Sequence, residues 1–205
     1  MHKKIVDLKN DLYQKKLDIR ELIEHLQKQE FPFRAHPLGF ISCSFLKEGS
    51  INARVHIWPA DPEHVQNRDI LIHNHIFDFE SWIIAGSIKN TKLSQSIFGE
   101  KYSLYTAEYS GEHSILHKTE NQITLIESSV ETYRTGDYYS MKSEDFHTSE
   151  LTEKSTAATI LITKNITTTG TSPLIAGPID GKPTYHYKRS ELSNNDITEL
   201  LKKIN

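Results

Sequence analysis

Residues 72–76 read Ile-His-Asn-His-Ile, a segment in which one residue separates two histidines. Successive side chains of a strand point to opposite faces, so His73 and His75 are expected on the same face, about 7 Å apart along the chain. Two imidazoles on one face can bind a single metal ion. Taken alone, the pair is weak evidence, because two incidental or hydrogen-bonded histidines have the same spacing.

A second set of residues, farther along the chain, extends this pattern. Gly86 closes the apolar run of residues 81–85, and Gly136 precedes His147 by eleven residues. The arrangement resembles the two motifs of the cupins, the first with an H-x-H pair, a Glu and a Gly, the second with a Gly, a Pro, a Gly and a His. The resemblance covers residues 37–163, and the matching positions are His73, His75, Gly86, Gly136 and His147.

Short apolar or alternating runs separated by Gly, Pro, Asn and Asp follow Pro37, among them residues 92–97 and 101–109. Many short strands at regular spacing are typical of a sandwich or a barrel. The resemblance implies a mainly β fold, a single cupin jelly-roll β-barrel with an N-terminal helix or helices and a short C-terminal helix.

Helical spacing marks the two ends of the chain. Apolar residues recur at i, i+3, i+4 and i+7 over residues 5–30, and residues 195–204 have the pattern of a last short helix. We therefore expect an N-terminal helical decoration at 1–36, the cupin barrel at 37–163 and a C-terminal extension at 164–205.

The resemblance implies that His73, His75 and His147 bind one divalent metal ion. Neutral imidazole suits several such ions, of which Fe(II) is favoured here and Zn(II) comes second. Three neutral ligands leave the full positive charge of the ion to bind an anionic substrate or to activate water or dioxygen. A thiolate site is excluded because the chain has a single cysteine.

The two motifs differ from the family pattern at the fourth ligand and in one turn. Phe79 occupies the position where most cupins have a carboxylate ligand. Asp78 and Glu80, on either side of it, are the candidates for a fourth ligand or an acid–base group. Either a one-residue bulge turns Glu80 inward, or the site has three His and open positions, as in the cysteine dioxygenase branch. The Ile-Phe-Asp-Phe run also resembles a set of bacterial cupins, which favours three His. In the second motif, Lys142 and Glu144 replace the Pro and the Gly.

Three further residues are candidates for substrate binding. Arg54 and His56 alternate with apolar residues and so share a face; inside the barrel, Arg54 could bind a carboxylate and His56 could relay protons. The alternative is an outward face with Arg54 in a surface ion pair. Strand parity directs one of Tyr138 and Tyr139 toward the cavity, and Tyr138 is taken as the candidate, with simple packing as its alternative. The histidines without partner spacing, expected at the surface, are His2, His25, His36, His64 and His186.

Composition narrows the class of partner. Lys and Arg number 24 against 27 Asp and Glu, so the chain has no overall field that would attract nucleic acid or an anionic membrane. We expect a cytoplasmic protein with a small-molecule substrate, since the sequence has no apolar signal or membrane segment and Cys43 has no disulfide partner. Cys43 is expected to be an inert core thiol. Cupins commonly pair through edge strands, and a homodimer is an open expectation.

These observations lead to a mononuclear metal-dependent cupin enzyme, with a non-haem iron oxygenase acting on a small, carboxylate-bearing molecule as the leading hypothesis. One alternative is a zinc-dependent cupin with non-redox chemistry, such as an isomerase, a lyase or a biosynthetic enzyme that forms bonds. Another is a cupin that binds a small molecule without catalysis. The step from fold to function rests on analogy.

Overall fold

Twelve strands and three helices make up the part of the chain that the computed structural model describes, which is residues 4–61, 65–110, 112–152, 154–166 and 172–204. In chain order the elements are α1 (Ile5–Tyr13), α2 (Ile19–Lys28), β1 (Arg34–Ala35), β2 (Ile41–Glu48), β3 (Ile51–Trp58), β4 (Ile72–His73), β5 (Phe77–Ala85), β6 (Ser87–Ser110), β7 (His113–Arg134), β8 (Tyr138–Met141), β9 (Phe146–Leu151), β10 (Ala157–Asn165), β11 (Leu174–Gly177), β12 (Thr184–Lys188) and α3 (Asn194–Lys202).

The strands form two antiparallel sheets of six strands each. The first sheet has the order β1-β2-β3-β10-β5-β8, and the second has the order β11-β4-β9-β6-β7-β12, with β11 also paired to β6. Strands that are distant in sequence lie side by side, as in a jelly roll. The predicted mainly β fold with N-terminal helices and a short C-terminal helix is therefore confirmed.

The runs at 92–97 and 101–109 belong to one long strand, β6, rather than to two. Its register against β7 shifts between Gln95 and Glu100. The break between these two runs, at residues 98–100, is instead part of an irregularity within the β6–β7 ladder. The C-terminal extension also contributes strands, since β11 and β12 join the second sheet.

The helices cover the outer face of the first sheet. Leu8 of α1, Leu26 of α2 and Ile197 of α3 are fully buried and share one hydrophobic cluster with Val55 of β3 and Ile160 of β10. Burial of this apolar surface drives the docking of both terminal segments onto the sheet. No helix within the described residues is long and apolar enough to cross a membrane.

Side chains alternate along the strands, so the inner face of the first sheet has different residues from the apolar outer face. In β3, Val55 and Ile57 belong to the cluster under the helices, whereas Arg54 and His56 point between the two sheets. Cys43 of β2 lies in the same outer cluster, and burial raises the pKa of its thiol to about 12, as expected of an inert thiol. Polar and aromatic side chains of the first sheet thus reach the space between the sheets, beside aliphatic ones.

The two motif glycines meet at one corner of the barrel. Gly86 and Gly136 have φ angles of 77° and 91°, a region that favours glycine. The Gly136 N–H donates to the carbonyl oxygen of Ile83 at 2.8 Å, and the Thr135 N–H donates to the carbonyl oxygen of Gly86 at 3.1 Å. These bonds join the end of β5 to the β7–β8 turn, which positions β8 and β9 beside the rest of the site.

Candidate metal centre

Three histidines converge where β4 and β9 meet in the second sheet. His73 and His147 are paired across these strands, and His75 follows β4 by two residues. One ring nitrogen from each of the three lies within 4.8 Å of the others, and among the described residues they form the group of three that could hold a metal ion. His73 and His75 were expected on one face, and the structure brings both together with His147.

The spacing of the nitrogens suits a shared ion. His75 Nε2 and His147 Nε2 lie 3.0 Å apart. Two nitrogens bound at about 2.1 Å and at right angles around one ion are separated by roughly 3.0 Å. A His73 nitrogen lies within 4.8 Å of both, so the three donors suit a divalent ion that prefers imidazole.

Hydrogen bonds to the other ring nitrogens orient two of these imidazoles. His73 Nδ1 donates to the carbonyl oxygen of Leu71 at 2.8 Å, which leaves its Nε2 lone pair available. His147 Nδ1 lies 3.0 Å from the side-chain amide of Asn90, which also contacts Ser149 Oγ at 2.9 Å. An amide can present its oxygen or its nitrogen in the same place, and with the oxygen toward Nδ1–H it frees Nε2 of His147. Sequence reasoning missed Asn90.

Backbone contacts hold the H-x-H segment from both sides. The Asn74 N–H donates to the carbonyl oxygen of Leu174 at 3.0 Å, and the Leu174 N–H donates to Asn74 Oδ1 at 2.7 Å. The His75 N–H donates to the carbonyl oxygen of Ser143 at 2.9 Å, in the loop before β9. The residue between the two histidines therefore anchors them to β11.

Asp78 holds the same loop and is not part of the cluster. Its Oδ1 accepts from the Ser143 N–H at 3.0 Å, and its Oδ2 lies 2.8 Å from Lys142 Nζ. The hydrogen bond from Lys142 lowers the pKa of the Asp78 carboxyl. The expected choice of Asp78 as a fourth ligand or acid–base group is corrected: its carboxylate acts on the loop that contacts His75.

Glu80 points away from the cluster as well. Its Oε2 lies 2.5 Å from Lys9 Nζ of α1 on the outer face of the first sheet. The register of β5 against β8 and β10 runs without a shift through Glu80, so the bulge that would turn it inward is not formed. Phe79 occupies the inward position instead, with its ring centroid 5.1 Å from that of His75.

The tyrosine assignment is corrected by one residue. Tyr138 is half exposed and stacks on Trp82 at 5.6 Å between ring centroids, beside α1. Tyr139 lines the interior near His147. Burial raises the pKa of Tyr139, and hydrogen bonding to Ser149, Ser81 and Asn90 partly offsets this rise. Parity correctly indicated that one of the two faces the cavity, and it is Tyr139.

The three histidines lie in a setting that keeps them neutral. Burial is the main cause that lowers the pKa of His73, His75 and His147, and their mutual repulsion lowers the pKa of the last two further. Only the neutral imidazole has a lone pair for a metal ion. The site is therefore ready to bind a cation near neutral pH without first losing protons.

Two cavities meet at the cluster. The aromatic cavity, of about 910 Å³, contains His147 and is bordered by Trp58, Phe79 and Tyr139. The arginine cavity, of about 560 Å³, contains Arg54, Arg189 and Phe77. His73, His75, His56 and Phe40 border both, so the histidine pair forms part of a shared wall.

Arg54 and His56 face the interior, which is the first of the two alternatives that the sequence left open. The Arg54 Cζ lies 5.2 Å from the Phe77 ring centroid, and His56 stacks on Phe40 at 4.4 Å between ring centroids. Burial, with Arg54 nearby, lowers the pKa of His56 to about 3. His56 is thus neutral near neutral pH and a weak base.

His36 was expected at the surface, and this expectation is wrong. It borders the arginine cavity and stacks on Phe40 at 4.2 Å between ring centroids. Burial is the main cause that lowers its pKa well below the usual range. His2 and His64 lie outside the described residues.

No protein-family model and no curated protein sequence matches the chain. Solved structures do match. A tryptophan-to-tyrosine variant of oxalate decarboxylase from Bacillus subtilis is 11% identical over 67% of this chain and 28% of that chain, with a TM-score of 0.40. Hydroxypropylphosphonic acid epoxidase from S. wedmorenis is 11% identical over 66% of this chain and 56% of that chain, with a TM-score of 0.41. CapF with the inhibitor 3-isopropenyl-tropolone is 10% identical over 75% of this chain and 33% of that chain, with a TM-score of 0.41. The matched regions thus span between 28% and 56% of those chains.

The fold and the site together define the class of protein: a jelly roll with three imidazoles converging between its sheets. These two features of the chain agree with the resemblance to cupins that the motifs indicate.

Proposed function

We propose that the chain is a metal-dependent enzyme that binds one divalent ion through His73, His75 and His147 and acts on a small molecule in the aromatic cavity. The observation that carries this proposal is the convergence of three neutral imidazoles beside a cavity of about 910 Å³. No described carboxylate joins the three nitrogens, so a bound ion would keep its full charge toward the cavity. Fe(II) is the favoured ion, and the favoured reaction class is that of a non-haem iron oxygenase.

Bound Fe(II) would supply dioxygen activation at the positions that the three histidines leave open. The chain's own residues have separate tasks. Phe79 and Trp58 border the cavity with apolar surface that excludes water, and the Tyr139 hydroxyl can hydrogen-bond a polar group of the substrate. Arg54 lies on the other side of the shared wall, where it can hold a negatively charged end of the substrate.

A second candidate is a zinc enzyme with non-redox chemistry, such as an isomerase, a lyase or a biosynthetic enzyme. It is favoured by the same ligand set, because three His and an open position are also the ligands of catalytic zinc, where the ion acts as a Lewis acid. The identity of the bound metal and oxygen consumption discriminate these two candidates. A protein that binds a ligand without catalysis is a third outcome.

The test begins with metal analysis of protein purified without added metal, followed by anaerobic reconstitution with Fe(II) and an oxygen-uptake screen over small organic acids. His73→Ala, His75→Ala and His147→Ala should each remove stoichiometric metal, while thermal unfolding stays cooperative. His117→Ala is the matched control, since His117 is exposed and lies 3.3 Å from Glu108. One equivalent of metal bound with unchanged affinity by the triple His variant would refute the proposal.

Zinc retention together with inert behaviour toward oxygen would replace the iron hypothesis with the zinc one. Metal bound by the wild type without turnover of any acid in either form would leave the chain as a binding protein.

A further inference from the structure

Two arginines from distant parts of the chain line the arginine cavity. Arg54 comes from β3 in the first sheet. Arg189 directly follows β12 of the second sheet, and its backbone N–H donates to the carbonyl oxygen of Glu112 at 2.6 Å. Both side chains border the cavity of about 560 Å³ between the sheets.

The cavity contains positive charge without acidic compensation. No Asp or Glu is among the described residues that border it, and within the described chain neither Arg54 nor Arg189 forms an ion pair. A third arginine at the edge, Arg34, differs from these two because it lies 3.6 Å from Glu191. Unpaired charge inside a protein costs free energy, so a compensating group is expected in the state that functions.

Both guanidinium groups pack on aromatic rings. The Arg54 Cζ lies 5.2 Å from the Phe77 ring centroid, and the Arg189 Cζ lies 5.3 Å from the Tyr109 ring centroid. Stacking uses the faces of the groups and holds them in place. The N–H donors at the edges of Arg54 meet no described hydrogen-bond acceptor. Arg189 hydrogen-bonds the Tyr109 side chain, and its Nη1 lies 3.5 Å from Ser114 Oγ.

Loss of water favours the neutral form of both groups, and each repels the other. Burial lowers the pKa of Arg54 and of Arg189, and the charge of Arg189 lowers the pKa of Arg54 further. An arginine nevertheless stays charged in proteins. The cavity therefore has two cations held on aromatic rings, and the donors of Arg54 have no described acceptor, a combination that suits an oxyanion.

We propose that the arginine cavity binds the doubly negative oxyanion end of an organic substrate whose other end reaches the three histidines. This inference deepens the proposed function and rests on it for the role of the ligand as substrate. The volume of about 560 Å³ exceeds the needs of an inorganic ion, and the apolar side chains of Ile70, Leu116 and Ile175 can contact a carbon skeleton. Because His73 and His75 border this cavity, a ligand anchored here would present its uncharged end to the cluster.

Binding is measured by calorimetry on metal-free protein, so that the metal ion cannot itself bind the anion. The probes are inorganic phosphate, succinate and acetate. Phosphate or succinate should saturate one site, and acetate should bind at least tenfold more weakly because it has one charge. Preference for phosphate assigns a phosphate or phosphonate group, and preference for succinate assigns a dicarboxylate. No saturable binding of either dianion overturns the proposal.

Variants locate the binding. Arg54→Gln and Arg189→Gln should each weaken the preferred dianion by about ten- to a hundredfold. Arg134→Gln is the matched control because Arg134 is exposed at the end of β7, outside both cavities. If a Gln variant does not fold, the Arg→Lys variant at that position carries the test: it keeps the charge but loses the planar fork, and should still weaken binding. Equal affinity in both arginine variants and in the control overturns the proposal.

Two further experiments distinguish failure of this proposal from failure of the proposed metal site. His147→Ala should lose metal but keep anion binding in the metal-free protein, since His147 borders only the aromatic cavity. Conversely, Arg54→Gln should keep metal. In Co(II)-loaded wild type, the preferred dianion should change the visible spectrum at concentrations where Arg54→Gln shows no change. Anion binding by a protein that binds no metal would refute the metal site alone. Anion binding that leaves the Co(II) spectrum unchanged would show that the ligand does not extend to the three histidines.

Discussion

At the scale of single residues, the side chains that orient the histidines matter as much as the histidines. Asn90 is 4% exposed, and its amide connects His147 Nδ1 with Ser149 Oγ. A hydrogen-bonded Nδ1 selects the tautomer that directs the Nε2 lone pair to a metal ion. Without it, the imidazole of His147 would sample both tautomers and a wider range of ring orientations.

Asn90→Ala should therefore weaken metal binding by about ten- to a hundredfold while leaving the ligands in place. The measurement is a competition titration with a chelator of known affinity, using Zn(II) and Co(II). Asn121→Ala, at an exposed position of β7, is the control and should bind like the wild type. Unchanged affinity in Asn90→Ala would show that the contact seen here does not orient His147.

His56 makes a separate prediction about pH. Its folded-state pKa of about 3 lies below the ordinary value of 6.5, so folding favours the neutral ring. Above pH 6.5 both states are neutral and stability does not change on this account. As the pH falls from 6.5 toward 3, the unfolded chain gains a proton that the folded chain does not accept, and stability decreases.

At pH 5 this difference amounts to about 2 kcal/mol for His56 alone. Urea unfolding of metal-free wild type and His56→Gln at pH 7 and pH 5 measures it: the wild type should lose about 2 kcal/mol more than the variant between the two pH values. Histidines that do not interact with His56 contribute equally to both proteins and cancel. Parallel losses in the two proteins would show that His56 titrates normally in the fold.

At the scale of secondary-structure elements, β5 separates the two carboxylates that flank Phe79. Glu80 faces α1 and contacts Lys9, whereas Asp78 contacts the loop whose Ser143 carbonyl accepts from the His75 N–H. Two residues apart on one strand, they have different neighbours because Asp78 lies at the end that meets the loop before β9.

Substitution of these two carboxylates should therefore affect metal affinity differently. Glu80→Gln should leave metal affinity unchanged, because the carboxylate is on the far side of the sheet. Asp78→Ala should weaken metal binding several-fold through the loop, an effect that arises without loss of a ligand. Metal titration of both variants gives the comparison, and a strong loss in Glu80→Gln would restore the four-ligand interpretation.

Element by element, the sequence predicted what depends on local periodicity. The alternation in β3 placed Arg54 and His56 on one face, and the H-x-H spacing placed His73 and His75 together. The orientation of that β3 face was open, because it depends on α1 and α2 covering the other side. The choice between Tyr138 and Tyr139 failed because it depends on the register of β8 against β5, which the turn at Gly136 sets.

At the scale of the whole molecule, the residues that no motif could reveal are those brought together by long-range packing. Arg189 follows a strand of the C-terminal extension and has no spacing relation to Arg54, and Asn90 resembles any polar residue in a strand. Their positions follow from the pairing of β12 with β7 and of β6 with β9. The fold class and the three histidines were therefore accessible from sequence, whereas the second cavity was not.

The same architecture separates stability from the site. The main hydrophobic cluster lies between the helices and the outer face of the first sheet, and the histidines lie on the opposite side of that sheet. Leu8 of α1 is fully buried in this cluster, and none of its neighbours in the cluster contributes to the three-His group.

Leu8→Ala should thus lower the free energy of unfolding by about 2–5 kcal/mol, through lost apolar contact and the cavity left behind. Metal affinity should stay within twofold of the wild type at temperatures where the variant is folded. Val6→Ala, at an exposed position of the same helix, is the matched control and should change stability by less than about 0.5 kcal/mol. Urea unfolding and metal titration on the same three proteins provide both quantities. A loss of metal binding that parallels the loss of stability would mean that the helices position the histidines through the sheet, and that the cluster and the site form one cooperative unit.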